Sequence, residues 1–322
     1  MTHTPLQPPT IGALGEFALI QRLARRLTAR NRAVVCGIGD DCAVLRTGGR
    51  RDLLLTCDPV VENVHFLRNT PPRQVGWKAM TRNLSDIAAM GGIPRWAVVS
   101  LGLRPNTPVR WVDALYQGLR AAAQRFGCQI VGGDTTHVRH QQFVVVTLLG
   151  EVEKTRLTRR AGARVGDAVF VTSALGGSRR GKHLRFIPRV REARWLVEHF
   201  PIHAMIDLSD GLSSDLQRLV EANDSRIGFV IDAARVPIAP AARGRLAAAL
   251  HDGEDFELLF TIAPRHAPAL KRRWPAAFDL PLTQIGCVSR AAHPPVRLHH
   301  AGDTITPLLP GGYDHFAPRP RR

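Results

Sequence analysis

Ala204-Met205-Ile206-Asp207-Leu208-Ser209-Asp210-Gly211, followed by Leu212-Ser213-Ser214-Asp215-Leu216-Gln217-Arg218-Leu219-Val220-Glu221-Ala222, is the stretch whose reading decides the fold class. A short apolar run, 204–206, reads as a strand that feeds Asp207, and 212–222 reads as a helix. Strand, turn and helix make up the repeating unit of α/β proteins, and the carboxyl end of such a strand is a favourable place for ligand chemistry. Asp207 and Asp210 stand at i and i+3, so a helical turn would set them on one side. A plainer reading makes Ser209 or Asp210 the cap of the helix. Both are compatible, because a helix N-terminus favours anions.

The same alternation extends outward. Leu14, Phe17, Ala18, Ile20, Leu23 and Leu27 recur at helical spacing and predict a helix over 11–28. Segments 34–36 and 53–56 read as strands, 75–90 as a helix ending at Gly91-Gly92 with Pro94 beyond as a stop, 96–103 as a strand and 109–126 as a helix. Segment 129–131 reads as a strand leading into Gly132-Gly133, and 143–152 as a long apolar strand that would be an aggregation risk as an exposed edge. Further on, 168–172, 229–231 and 256–262 predict strands, and 193–199 and 241–250 helices. The class is therefore α/β. The charged stretch Glu153, Lys154, Arg156, Arg159, Arg160, followed by Gly162 and Gly166, places a boundary within 152–165 and predicts domains 1–155 and 156–322. Residues 1–10 and 317–322 are expected to be disordered.

A chain of 322 residues with 44% hydrophobic content is long and apolar enough for two ordinary domains. No apolar run approaches the ~20 residues of a membrane helix, and residues 1–10 lack a secretory apolar stretch, which predicts a cytoplasmic protein. Five widely spaced cysteines without a CxxC argue against a zinc ribbon or redox pair and are expected to be buried or half-buried thiols. The formal charge of +17 raises nucleic-acid binding, but the arginines are dispersed and the aromatic content is 6%, so no specific nucleic-acid partner is predicted. A general attraction for anionic substrates fits better.

Against that basic background, seven aspartates stand in short motifs: Asp40 and Asp41 after Gly39, Asp58 after Cys57, Asp86 after Ser85, Asp134 after Gly132-Gly133, and Asp207 and Asp210. Gathered together they would repel one another unless a hard cation neutralised them. Oxygen-only clusters suit Mg²⁺, which commonly also holds substrate phosphates. Each motif has a plainer reading: a Gly-Asp turn, a solvated helix face, a cap. The two glycines before Asp134 would let the backbone approach a phosphate. Gly253-Glu254-Asp255, without context, reads as a solvent-facing acid pair. His65, in Val64-His65-Phe66, lies seven residues after Asp58 and could reach an anionic substrate; most lone histidines are structural. There is no GxxxxGK[ST], no protein-kinase motif set, no GxSxG and no HExxH. Phosphate handling would rest on metals and glycine turns.

In their order and spacing these motifs resemble the thiamine-monophosphate kinase family, a relative of aminoimidazole ribonucleotide synthetase and selenophosphate synthetase. The resemblance runs from Gly15-Glu16-Phe17 to Gly312-Tyr313-Asp314-His315-Phe316 and includes Asn83-Leu84-Ser85-Asp86 and Gly253-Glu254-Asp255-Phe256-Glu257-Leu258. It implies a two-domain synthetase-like fold, with an N-terminal α/β domain that dimerises through its sheet and a C-terminal α/β domain over the site. It carries binding of several Mg²⁺ ions onto Asp41, Thr56, Cys57, Asp58, Asp86, Asp134, Asp207 and Asp210, with Asp58, Asp134 and Asp210 as the catalytic carboxylates. It carries ATP contacts onto Gly133, Asp134, Arg160 and Ser209, and thiamine monophosphate contacts onto His65, Glu254 and Tyr313. The implied partners are ATP, thiamine monophosphate and a second copy of the chain. The implied reaction is direct transfer from ATP to thiamine monophosphate, giving thiamine diphosphate. Cys57 stands where the family usually has Thr, Ala161 replaces a common Ser, and 177–183 is short. A rival reading is a superfamily member acting on another small acceptor; a rival of another class is a basic nucleic-acid-binding protein.

Overall fold

The structure, a computed structural model, describes residues 10–27 and 31–316. The first half runs α1 (Ile11–Leu14), α2 (Glu16–Ala24), β1 (Val34–Cys36), β2 (Ala43–Arg46), β3 (Arg51–Val61), α3 (Pro72–Ala89), β4 (Ile93–Leu103), α4 (Val109–Arg125), β5 (Gln129–His137) and β6 (Phe143–Glu153). The second runs β7 (Ala168–Thr172), α5 (Val190–His199), β8 (Ile202–Asp207), α6 (Leu212–Ala222), β9 (Ile227–Asp232), α7 (Leu246–His251), β10 (Leu258–Ile262), α8 (Ala267–Ala277), β11 (Leu282–Arg290), β12 (Val296–His299) and β13 (Ile305–Pro307). Short 3-10 turns cover 178–180 and 182–184.

Two sheets result: six strands in the order β1-β2-β3-β6-β4-β5, and seven in the order β13-β12-β9-β11-β7-β10-β8. Most pairs are antiparallel; β4–β5 and β9–β12 are parallel. The class is α/β, as the alternation of elements predicts. α3 is the keystone. It packs on β3 and β6 of the first sheet, on α4 and α5, and on β8 of the second sheet. Val75, Ala79, Met80, Leu84, Ile87 and Ala88 are all excluded from water along it. Even-numbered residues of β6, from Val144 to Val152, are buried on the α3 side. Each such Val or Leu contributes about 1.5–3 kcal/mol on burial. The opposite face of this sheet is only partly covered. Trp96 and Val98 are 41% and 37% exposed, and Val131 is 59% exposed.

Several sequence expectations give way. The helix over 11–28 is two helices, broken at Gly15, whose φ of +80° an L side chain rarely adopts. Ile20, Leu23 and Leu27 are exposed rather than buried. Pro94 sits inside β4, paired with Gly150, and is not the stop it appeared to be. Segment 241–250 divides into a 3-10 turn (Pro240–Ala242) and α7, because Arg243 and Gly244 both take positive φ. The strand expected from 256 starts at 258, after Phe256 at φ +51°. The apolar strand 143–152 is no edge; β6 lies between β3 and β4, and the edge is β5. β5 bulges at Val131 and runs on as strand through Gly132-Gly133, so that pair does not end it in a turn. A Cβ on Gly133 would lie 1.9 Å from the carbonyl oxygen of Val99, so close strand approach is what demands glycine there. Cys57 and Cys287 are exposed, against the expectation of buried thiols. β2, α8, β11, β12 and β13 were not legible as separate elements. The disorder expected of 1–10 and 317–322 falls outside the described residues, apart from Thr10, which caps α1. Among the described residues no helix is long and apolar enough to cross a membrane.

Candidate active site between the two sheets

Three elements converge where α3 meets the second sheet. The turn before β2 carries Asp41, the last turn of α3 carries Asp86, and β8 ends on Asp207. One carboxylate oxygen of each lies within 4.8 Å of the others. Their remaining bonds are short and local. Thr56 Oγ1 donates to Asp86 Oδ2 at 2.5 Å, and Ser85 Oγ donates to Asp207 Oδ2 at 2.5 Å. The Arg160 guanidinium donates to Asp41 Oδ1, with Nε at 3.1 Å, while its backbone N–H reaches both oxygens of Asp40 at 3.2 Å. Asp41 Oδ2 is buried with no hydrogen-bond partner among the described residues. A buried, unpartnered carboxylate oxygen on a residue grouped with two other carboxylates is where a cation fits. Asp58, two residues after Thr56 on the same face of β3, accepts from Arg82 Nε at 3.2 Å.

The electrostatics say the same. Burial, then the charges of Asp58, Asp207 and Asp41, pushes the Asp86 carboxyl far up. Burial and Asp41 lift Asp207 to about 7 and, against the pull of Arg160, Asp40 to about 7. Burial and Glu16 lift Asp210 to about 6. As carboxylates the group is short of positive charge.

The loop after β8 resolves the reading of Asp207 to Gly211. Neither Ser209 nor Asp210 caps α6. Gly211 is the cap residue, and the buried Asp215, one turn into the helix, accepts from the N–H groups of Asp210 and Gly211 at 3.2 and 3.1 Å. The loop is thereby pinned, with Asp207 pointing into the cluster and Ser209 and Asp210 lining the adjoining cavity of about 610 Å³.

A second cavity, about 950 Å³, adjoins the first and is lined by His65, Phe66, Arg179, His183, Glu254 and Tyr313 among others. A narrow neck between them is lined by His65, Arg82, Arg179, Asp210, Glu254 and Tyr313. His65 is buried. The Val61 N–H donates to its Nδ1 at 3.1 Å, so the ring proton stands on Nε2. Burial, then Arg82 and Lys78, depresses its pKa to about 2, and the ring is neutral. The His315 ring lies 5.2 Å away, and Arg179 stacks over Tyr313 at 4.7 Å. Gly253-Glu254-Asp255 is not solvent-facing: Asp255 is buried, and Glu254 takes a left-handed φ of +57°, its N–H donating to the Ser209 carbonyl at 2.7 Å. Burial would raise the Glu254 carboxyl, but Lys78 outweighs it and holds the carboxyl below its ordinary range.

Among the residues singled out from sequence, the structure thus groups Asp41, Thr56, Asp58, Asp86, Arg160, Asp207, Ser209 and Asp210 around one cavity and His65, Glu254 and Tyr313 around its neighbour. Two cases differ. Cys57 turns its thiol to the other face of β3, where Thr147 Oγ1 donates to Sγ at 3.3 Å, leaving only backbone on the cluster side. Gly133 and Asp134 stand apart. Asp58 pairs with Val146, Val146 with Val99, and Val99 with Gly133, which is three strand spacings, or about 14 Å. Asp134 is exposed on the edge strand, its Oδ1 accepting from the Thr135 N–H. Sequence reasoning missed Lys78 and Arg82. Their signal was available: 78, 82 and 86 place charges at intervals of four on one side of the helix.

Comparison with known proteins places the chain in a family. A family model described as "AIR synthase related protein, N-terminal domain" matches residues 39–152. The thiamine-monophosphate kinase of Haemophilus influenzae is 32% identical, over 94% of this chain and 98% of its own. That of Bacillus subtilis is 34% identical, over 94% and 100%. Among solved structures, AaThiL complexed with AMPPCP and TMP superposes with a TM-score of 0.81 at 32% identity, covering 96% of this chain and 99% of that one.

Proposed function

The chain belongs to the thiamine-monophosphate kinase family and is a kinase; from that premise we propose that it moves the γ-phosphoryl group of ATP directly onto thiamine monophosphate, releasing ADP and thiamine diphosphate. The observation that carries this reading is the junction of two unlike cavities, one built from carboxylates and one from His65, Glu254 and Tyr313, through a neck bearing Arg82 and Arg179. AaThiL, the similar structure, is complexed with AMPPCP and TMP, which supports ATP and thiamine monophosphate as the substrates here.

The donor set around Asp41, Asp86 and Asp207 fits Mg²⁺: all oxygens, mutually repelling, one of them buried without a partner. Asp41, Asp86 and Asp207, with Asp58 and Asp210 beside them, would hold several Mg²⁺ ions, which would supply positive charge to offset the repulsion between the two phosphate-bearing substrates. The protein's own groups do the rest. Arg160 supplies a fixed positive charge at the cavity rim for the nucleotide phosphates. Arg82 and Arg179 place cations at the neck, where the acceptor phosphate enters. Neutral His65 offers its Nε2–H to the acceptor. An acceptor phosphate with a second pKa near 6 is already largely dianionic at neutral pH, so no general base is required. One of its oxygens forms the new bond to the γ-phosphorus as the bond to the bridging oxygen breaks, and the electron pair leaves with ADP. No phosphoenzyme is formed.

The reading includes a homodimer through the first sheet. The partly covered apolar face of Trp96, Val98 and Val131 supports it, as does the unpaired edge of β5. In such a dimer Gly133 and Asp134 serve a site shared between copies, which accounts for their distance from Asp58 within one chain.

A coupled ADP-release assay across phosphorylated and unphosphorylated small acceptors tests the function. Turnover confined to thiamine monophosphate is expected. Equal or greater turnover with another acceptor overturns the substrate assignment.

A further inference from the structure

Near the middle of α3, Lys78 is completely excluded from water. A buried ammonium is costly unless it is fully paired. This one is paired twice: its Nζ donates to the His65 carbonyl oxygen at 2.8 Å and to Glu254 Oε1 at 2.6 Å. The two acceptors belong to separate segments, the loop after β3 and the loop before β10, and reach Lys78 across 13 and 176 residues of sequence. Both line the second cavity, whereas Lys78 lines none of the three adjoining spaces. Whatever it does for a ligand there, it does through His65 and Glu254.

We propose that Lys78 is a positioning residue that fixes the acceptor half of the site, tying the His65 loop and the Glu254 carboxylate to α3 in one mutual geometry. This rests on the reading of the second cavity as the thiamine monophosphate site. Glu254 needs such a tether. Its left-handed backbone is a conformation non-glycine residues adopt at a cost, and it persists only where the surroundings over-determine it. The Ser209 carbonyl fixes its backbone, and Lys78 fixes its side chain. α3 is a suitable anchor because both sheets and two helices grip it. Since the last turn of α3 also carries Asp86, Lys78 holds the acceptor residues in register with the carboxylate cluster two turns further along the same helix.

The charge of Lys78 is conditional. Burial lowers its pKa to about 8 against the opposing pull of Glu254; Arg82 on the same helix and Arg179 on the facing turn push in the same direction as burial, and His183 and His65 complete the surroundings. Above that pH the ammonium loses its proton and its hold on Glu254.

The test uses the full-length protein and steady-state kinetics with ATP and thiamine monophosphate. Lys78→Met should raise the acceptor KM by about tenfold or more and leave the ATP KM within about twofold. Added to Glu254→Gln, it should change the acceptor KM by less than about twofold, since the pair acts as a unit. An unchanged acceptor KM in Lys78→Met, or equal defects in both KM values, overturns the proposal and leaves Lys78 a stabilising residue seen only in melting temperature. If Lys78→Met does not fold, the wild-type pH series decides. The acceptor KM should climb above pH 8 while the ATP KM stays level, and in Glu254→Gln that climb should be lost. An acceptor KM that stays flat to about pH 9.5, short of the ordinary lysine pKa, overturns it. A wild-type enzyme inert toward thiamine monophosphate but active on another acceptor refutes the substrate reading instead, and the two failures stay distinct.

Discussion

The two cavities are electrostatic opposites that share a wall. Around the first, Asp40 and Asp207 are lifted to about 7 and Asp86 further, because carboxylates are buried together with too few cations. Around the second, His65 is depressed to about 2 and Lys78 to about 8, by burial first and then by neighbouring cations such as Arg82, with Glu254 pulling the other way on Lys78. A phosphoryl donor chelated to divalent cations suits the first; an acceptor that brings its own phosphate suits the neck and the second. Opposite signs of pKa shift thus set the two cavities apart, a distinction that cavity shape alone would not make.

The sharpest break in this contrast is Asp207→Asn. It removes one charge from the carboxylate cluster while keeping an oxygen that can accept from Ser85. Turnover should fall by about a thousandfold or more. Stability should move the other way. A carboxyl raised from the ordinary range to about 7 contributes stability at low pH that is lost between roughly pH 4 and pH 7. Metal-free Asp207→Asn at pH 7.5 should therefore be more stable than wild type, by on the order of 1–3 kcal/mol. Thermal melts with and without Mg²⁺ check this, and a variant both inactive and less stable at that pH would show the aspartate to be structural.

Next is Asp134→Asn, which should cost about a hundredfold if the edge strand serves a shared site. Mixing the inactive Asp134→Asn and Asp207→Asn proteins should restore activity, up to about a quarter of wild type, because half of a random set of dimers would then carry one intact site. No recovery on mixing, or a monomer by light scattering, removes the shared-site reading.

His65→Ala belongs to the other cavity. We expect a loss of about 10- to 100-fold in kcat/KM for thiamine monophosphate with little change in the ATP KM. A matching ATP defect would erase the division between the cavities. The smallest effect should come from Cys57→Ser, below about twofold in kcat at any Mg²⁺ concentration, since the thiol faces away from the cluster. A large effect would put the side chain, not the backbone, at the metal site.

Asp40, Asp41 and Asp207 were legible because they follow a glycine turn or end an apolar run, and a hydrophobic pattern marks where a strand stops; Asp86, inside α3, stood out only as one member of the motif set. Lys78 and Arg82 were obscured because a lone charge on a helix reads as solvated until the second sheet is laid over it. Glu254 failed the same way: a Gly-Glu-Asp turn looks like a surface loop, and only tertiary contact shows it wedged against Ser209 and Lys78. Gly132-Gly133 misled because glycine pairs signal turns, whereas here the Val99 carbonyl excludes any side chain. The run 143–152 read as a strand but not as a central one, since an apolar segment looks alike at an edge and in the middle. Its neighbours decide that, and they come from β3 and β4, far away in sequence.

The central claim is that the carboxylate cavity and the His65 cavity together pass a phosphoryl group between two phosphates. Phosphorus NMR of the full-length protein with ATP, thiamine monophosphate and Mg²⁺ tests it most directly. The account predicts ADP and thiamine diphosphate rising in equal amounts, no orthophosphate, and no product once the divalent cation is chelated. Orthophosphate in place of thiamine diphosphate, or undiminished transfer in the absence of divalent cations, would contradict it.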